Sequence, residues 1–268
     1  MTLRGFLKSC APIALQEIRE ARKQFRLVEG VSSSGSWILA CSPARRTAIE
    51  TSRFHLFPKA LRRPLSVVID VGAHKGHWIK SLLDIVPVSE IYIFEPNPKA
   101  MGECRRRVGS RPGVIFNEIA LGEAPGSAFL HITRSSDFSS LLKPKSSFID
   151  SNYRNHPVQV VVEQEVAISS LDNAMPTGKT IDLLKLDVQG YERQVLAGAL
   201  TTLRSTKAIL LETNFHSHYE GDETFASLYA LLTQELGFAF WDISKPYRGD
   251  IGNALWADAL FVNPYYAI

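Results

Sequence analysis

From Leu65 onward the apolar residues follow two alternating rhythms. The runs LSVVIDV (65–71), EIYIFEP (90–96), GVIFNEIAL (113–121), TIDLLKLDV (180–188) and AILLET (208–213) are short, rich in β-branched residues and apolar almost throughout. Such runs predict strands buried on both faces. Between them, HWIKSLLDIV (77–86), PKAMGECRRRV (98–108), YERQVLAGALTTL (191–203) and TFASLYALLTQEL (224–236) repeat apolar residues three and four apart, which predicts helices. Strand and helix in alternation predict a mostly parallel sheet covered on both sides. The last two strand-like runs, FAFWDIS (238–244) and ALWADALFV (254–262), are joined by a short loop, so an antiparallel hairpin is expected at one end of the sheet.

Two stretches depart from this rhythm. Residues 126–175 insert two strand-like runs, SAFLHIT and VQVVVEQEVAI, around the polar segment RSSDFSSLLKPKSS, and this insertion is expected to overhang the sheet. At the other end, residues 11–28 place Ile13, Leu15, Ile18, Phe25 and Val28 on one helical stripe before a short strand WILAC. Residues 1–63 therefore read as an accessory region and 64–268 as the main domain.

Charge separates these parts further. The chain carries a formal net charge of +3, yet residues 1–63 hold 12 Lys and Arg against 4 Asp and Glu, leaving 18 against 23 for the rest. The basic segment is available for weak contact with an anionic surface, although a solvated helix face explains the same charge. No basic run with interleaved aromatics points to nucleic acid. No apolar run approaches the ~18 residues that a membrane span needs, and the N-terminal stretch lacks the pattern of a signal peptide. The three cysteines, Cys10, Cys41 and Cys104, are far apart and in no metal-ligand spacing, so reduced thiols in a cytoplasmic protein are expected.

In open parallel sheets the ligand sits beyond the carboxyl ends of the strands. The first strand runs into Asp70-Val71-Gly72-Ala73-His74-Lys75-Gly76, where two glycines leave the backbone open to close approach. Gly76 is followed by His77 and Trp78, so the turn is not a Walker phosphate loop, and it lacks the third glycine of the dinucleotide fingerprint. The second strand ends at Glu95, where a carboxylate can accept hydrogen bonds from both hydroxyls of a ribose. A ribose without a pyrophosphate, on a seven-stranded sheet ending in a hairpin, describes S-adenosylmethionine-dependent methyltransferases.

The segments DVGAHKG, IFEPNP, IALGE, SSL (139–141) and LLKLDVQGYERQVLAGA resemble, in order and spacing, the FkbM family of methyltransferases over roughly residues 66–215. The resemblance implies an α/β, Rossmann-like class I methyltransferase fold with a mostly parallel seven-stranded sheet and a terminal hairpin. It implies S-adenosyl-L-methionine as cofactor and O-methylation of a hydroxyl on a small-molecule or glycan acceptor, commonly a sugar or natural product. It also implies cofactor contacts at Asp70, Gly72, Ala73, His74 and Gly76 in the turn, at Glu95 on the ribose, and at Glu118 and Ala120 near the adenine. His74 stands where the family usually has Asn.

An acceptor alcohol must lose its proton, and the candidate bases at strand ends are Asp187 and His216, with His218 beside the latter. Lys185 and Glu192 read as an ion pair or cap flanking Asp187, and Asp172 and Asp182 as turn or cap residues. A metal-free route, in which Asp187 or His216 takes the proton directly, is preferred. The alternative makes Asp187, Glu212 and Asn214 oxygen ligands of a divalent cation that acidifies the hydroxyl. Two other classes of function remain open, a nicotinamide-dependent oxidoreductase and a silent nucleoside-binding module.

Overall fold

The computed structural model describes residue 61 and residues 63–146 and 158–266. The expected helix over 11–28, the strand WILAC, the basic segment apart from Leu61 and Arg63, and Cys10 and Cys41 lie outside the described residues.

The main sheet follows the apolar runs. Its parallel core is β3 (Val114–Asn117), β2 (Val88–Phe94), β1 (Leu65–Val71), β7 (Leu183–Leu186) and β8 (Ala208–Asn214), in that spatial order. β11 (Ala254–Val262) then runs antiparallel to β8, with Asp258 opposite Glu212. Its outer edge is shared by β9 (Ala239–Ile243) and β10 (Tyr247–Arg248). The expected terminal hairpin is therefore present as β9 and β11. The connecting loop adds a short strand of its own, so the sheet has eight strands rather than seven.

Strand periodicity sorts the core into two layers. Val67, Ile69 and Val71 point to the face shared with Leu184, Leu186, Ile209, Leu211 and Phe261, covered by Leu196, Leu203, Leu228 and Leu232. Val68 points the other way, to Leu183, Leu210 and Leu260, and is covered by Ile79 and Leu82 of α1 (His77–Leu83) and by Met101 and Cys104 of α2 (Pro98–Val108). The central strands β1, β7 and β8 are buried on both sides, as a parallel sheet between helices requires.

Two runs that read as single elements are divided. GVIFNEIAL leaves the main sheet after Asn117, and Ala120–Leu121 form β4 of a second sheet ordered β4-β6-β5, with β5 Gly126–Thr133 and β6 Val160–Ser169. β5 and β6 of this second sheet are the two strand-like runs of the insertion seen in the sequence. YERQVLAGALTTL forms α4 (Glu192–Ala197) and α5 (Leu200–Arg204), after the short α3 (Leu171–Ala174). A Cβ at Gly198 would lie 2.0 Å from the Gly122 carbonyl oxygen, so the chain packs too closely there for any side chain. Asp172 then caps α5 by accepting the Thr201 and Thr202 amides at 2.8 and 2.7 Å. The run 224–236 is helical as expected, with α6 (Phe225–Ala230) passing into a π-helical turn at Leu231–Glu235. Among the described residues no helix is long and apolar enough to cross a membrane.

Candidate active site

The turn after β1 is fixed by its own backbone. Gly72, His74 and Gly76 have φ of +72°, +49° and +73°, and the Gly72 and Ala73 amides donate to the Phe94 carbonyl at 3.0 and 3.1 Å. The structure gives the glycines a reason beyond openness to a ligand. A Cβ at Gly72 would lie 1.9 Å from the Asp187 carbonyl oxygen, and one at Gly76 would lie 2.6 Å from Cys104 Sγ. Both glycines let the turn nest against protein, and Gly72 also borders the adjoining cavity.

Glu95, just past β2, is 7% exposed. Its Oε2 accepts the His74 amide at 2.8 Å and its Oε1 the Asn97 amide at 2.9 Å. Burial pushes its carboxyl above the usual range, opposed by those two N–H groups. Each oxygen keeps a lone pair beyond its backbone bond, and Glu95 lines the cavity. Asn97 next to it caps α2, accepting the Lys99 and Ala100 amides.

At the neighbouring strand ends a buried lysine joins two carboxylates. Lys185 Nζ lies 3.2 Å from Asp70 Oδ1 and 3.3 Å from Asp187 Oδ2, and it donates to the Gly72 carbonyl at 3.2 Å. Asp70 is fully buried beneath the turn, whereas Asp187 reaches the cavity. Glu192 ties down the turn after Asp187, its Oε1 accepting the Val188 and Gly190 amides at 3.1 and 3.3 Å. Burial pushes its carboxyl up to about 7. The expectation that Lys185 and Glu192 flank Asp187 as an ion pair and a cap is what the structure contains.

Glu95, Lys185 and Asp187 line a cavity of about 440 Å³, within the range of small-molecule sites. One wall is apolar, with Phe94, Ile119, Ala120, Leu121 and Leu130, and another carries Asp187, Gln189, Glu212 and Trp256. The short 3₁₀ turn Ser136–Phe138 of the insertion closes a further side. His74 fastens that turn to the glycine turn after β1, its Nε2 lying 2.8 Å from Ser136 Oγ and its Nδ1 3.0 Å from Asp137 Oδ1. The His74 hydrogen bond brings the Asp137 carboxyl down to about 2.

Of the residues singled out from sequence, Gly72, Ala73, His74, Glu95, Ala120 and Asp187 line this cavity together. Asp70 and Gly76 support it from beneath, and Glu118 and His216 are exposed and lie off its walls. His218 is buried, its imidazole pushed down to about 3 by burial and then by the charge of His216. Glu212 and Asn214 share a face because β8 runs through Asn214, but the Asn214 amide lies 3.5 Å from Asp222 and Asn214 is off the cavity wall. Sequence reasoning missed Gln189, Trp256 and the Ser136–Phe138 turn. The only hints were the Gln-Gly pair within DVQGYE and the serines before Leu141.

Comparison with known proteins places this geometry. Residues 70–240 match the Methyltransferase FkbM domain. The 2-O-methyltransferase NoeI of Sinorhizobium fredii (strain NBRC 101917 / NGR234) is 28% identical over 181 residues, covering 64% of this chain and 73% of that protein. Methyltransferase 1 of Beauveria bassiana (strain ARSEF 2860) is 25% identical over 188 residues, covering 64% and 76%. The crystal structure of an FkbM methyltransferase from Methylobacillus flagellatus KT matches with a TM-score of 0.50 at 12% identity over 79% of this chain, which spans 47% of that one. The glycine turn, the buried Glu95 and the Asp187 strand end all fall inside the matched residues, and the chain belongs to the FkbM family of methyltransferases.

Proposed function

We propose that this chain transfers a methyl group from S-adenosyl-L-methionine to a hydroxyl of a sugar or related natural product. The observation that carries the reading is that Glu95 and Asp187 face one cavity across the Gly72-Ala73-His74 turn. The residues present suit the cofactor. Glu95 offers two carboxylate oxygens to a ribose diol, Ile119 to Leu121 offer an apolar seat for a base, and Asp187 offers negative charge near a sulfonium. That NoeI is a 2-O-methyltransferase supports a hydroxyl as acceptor.

When bound, S-adenosyl-L-methionine supplies a methyl carbon activated by its sulfonium. The chain's own contribution is alignment and proton transfer. Asp187 accepts the acceptor's hydroxyl proton while Lys185 Nζ, 3.3 Å away, holds its carboxylate in place. The Ser136–Phe138 turn, held by His74, screens the cavity from water.

Calorimetry with S-adenosylhomocysteine, NADH and NADPH separates this reading from an oxidoreductase, and binding of S-adenosylhomocysteine alone is expected. Incubation with methyl-labelled S-adenosylmethionine and a panel of methyl glycosides then tests the acceptor class. A protein that binds a nicotinamide nucleotide in preference overturns the reading.

A further inference from the structure

Gln189 takes no part in the chemistry described so far, yet its backbone and its side chain are both held in place on the cavity wall. It has a φ of +55°, and His74 is the only other non-glycine residue with positive φ among the described residues. Such a conformation persists where its surroundings over-determine it. Ser140 Oγ donates to the Gln189 carbonyl at 2.7 Å, and Glu192 holds the amides on both sides. The Gln189 carboxamide nitrogen donates to Asp187 Oδ1 at 2.9 Å and to Glu212 Oε1 at 2.7 Å, while its oxygen accepts the Tyr219 hydroxyl at 2.8 Å. Both amide hydrogens and the amide oxygen are therefore engaged. Turning the amide over would set its oxygen against two carboxylates.

We infer that Gln189 is a positioning residue for methyl transfer, whose amide spans Asp187 and Glu212 and so fixes Asp187 on the cavity wall as the proton acceptor. The inference rests on the role proposed above for Asp187. Two carboxylates at adjacent strand ends repel, and a donor that bonds to both fixes where each of them stands. Among the described residues the titratable groups around the pair include Lys185, which Asp187 shares with Asp70, the buried Asp258 opposite Glu212 on β11, Glu192 behind the turn, and Tyr219 on the amide oxygen. The Gln189 amide reaches both carboxylates.

Two variants separate this role from a purely structural one. Gln189→Asn keeps an amide and suits positive φ better than glutamine does, but it is one methylene too short to span both carboxylates. If the residue serves only the turn, Gln189→Asn matches the wild type. If the amide serves the pair, kcat falls on the order of 100-fold with S-adenosylhomocysteine affinity unchanged. Gln189→Glu keeps the shape and places a third carboxyl in the cluster, which can donate only while protonated. Its methyl transfer to the glycoside panel is expected to recover as pH falls, where the wild type declines.

Thermal melting of the protein saturated with S-adenosylhomocysteine gives a readout that needs no acceptor. The deficit of Gln189→Glu relative to wild type should grow with rising pH, while that of Gln189→Asn stays flat. Wild-type kcat in Gln189→Asn, or a pH-independent deficit in Gln189→Glu, overturns the inference. Turnover retained by Asp187→Asn would instead remove the base assignment, leaving the melting series to report the amide's hold on the pair.

Discussion

Replacing Glu95 by alanine removes the two carboxylate oxygens offered to a ribose, and the structure allows the cost to be worked out. Each oxygen accepts one backbone amide, from His74 or Asn97, and presents its remaining lone pair to the cavity. A hydrogen bond to a charged acceptor contributes about 1.5–3 kcal/mol. Water entering the enlarged cavity recovers part of a bidentate pair, so the net loss should be about 2–3 kcal/mol, or roughly 30- to 150-fold in S-adenosylhomocysteine affinity. Glutamine is no milder a substitution here. Both carboxylate oxygens face an N–H, so either orientation of a carboxamide sets its NH₂ against a donor, which costs about 1–3 kcal/mol for the unsatisfied group. Calorimetry on Glu95→Ala, with circular dichroism to establish folding, measures the affinity. A 2′-deoxy analogue of S-adenosylhomocysteine completes a double-mutant cycle, since the analogue should lose affinity for wild type and lose little more for the variant. A folded Glu95→Ala protein that binds the unmodified ligand as tightly as wild type would refute the assignment.

Asp187→Asn should abolish methyl transfer while leaving S-adenosylhomocysteine bound. Wild type is expected to keep full activity after exhaustive EDTA treatment, and a loss restored by Mg²⁺ or Mn²⁺ would favour the divalent-cation route. Glu192 has its folded pKa raised from 4.5 to about 7, so the folded state binds the proton more tightly and its contribution to stability declines as pH rises through that interval. In Glu192→Gln one amide oxygen can still accept both the Val188 and Gly190 N–H groups, so melting curves against pH should lose that decline, and an unaltered slope would count against it. Deleting residues 1–30 should leave cofactor affinity intact while weakening salt-sensitive binding to anionic vesicles, and identical vesicle binding would mean that the basic charge only solubilises.

What could be read from the sequence was what neighbours along the chain decide. LSVVIDV and ALWADALFV gave the bounds of β1 and β11 to the residue because strands buried on both faces are apolar throughout. Glu95 and Asp187 were legible for a related reason, since a polar residue closing such a run falls at the ligand-binding edge of the sheet. The breaks were not legible. Gly198 ends α4 because Gly122 packs against it, and GVIFNEIAL divides because Ala120 pairs with Ile168 of the insertion.

His216 shows the same limit within the site. It follows β8 in a loop at the expected edge, yet Asp222 accepts the His218 and Tyr219 amides at 2.8 and 3.2 Å and also takes the Ser217 hydroxyl, drawing the loop into a turn that leaves His216 exposed. That turn is also what brings Tyr219 under the Gln189 amide. One loop thus removes a histidine from the cavity and fixes the orientation of the amide that joins two carboxylates there. A strand end tells which residues can reach a ligand, and only contacts between distant segments decide which of them do. For that reason the acid at the end of β2 was assigned from sequence, while the glutamine between two acids had to be found in the structure.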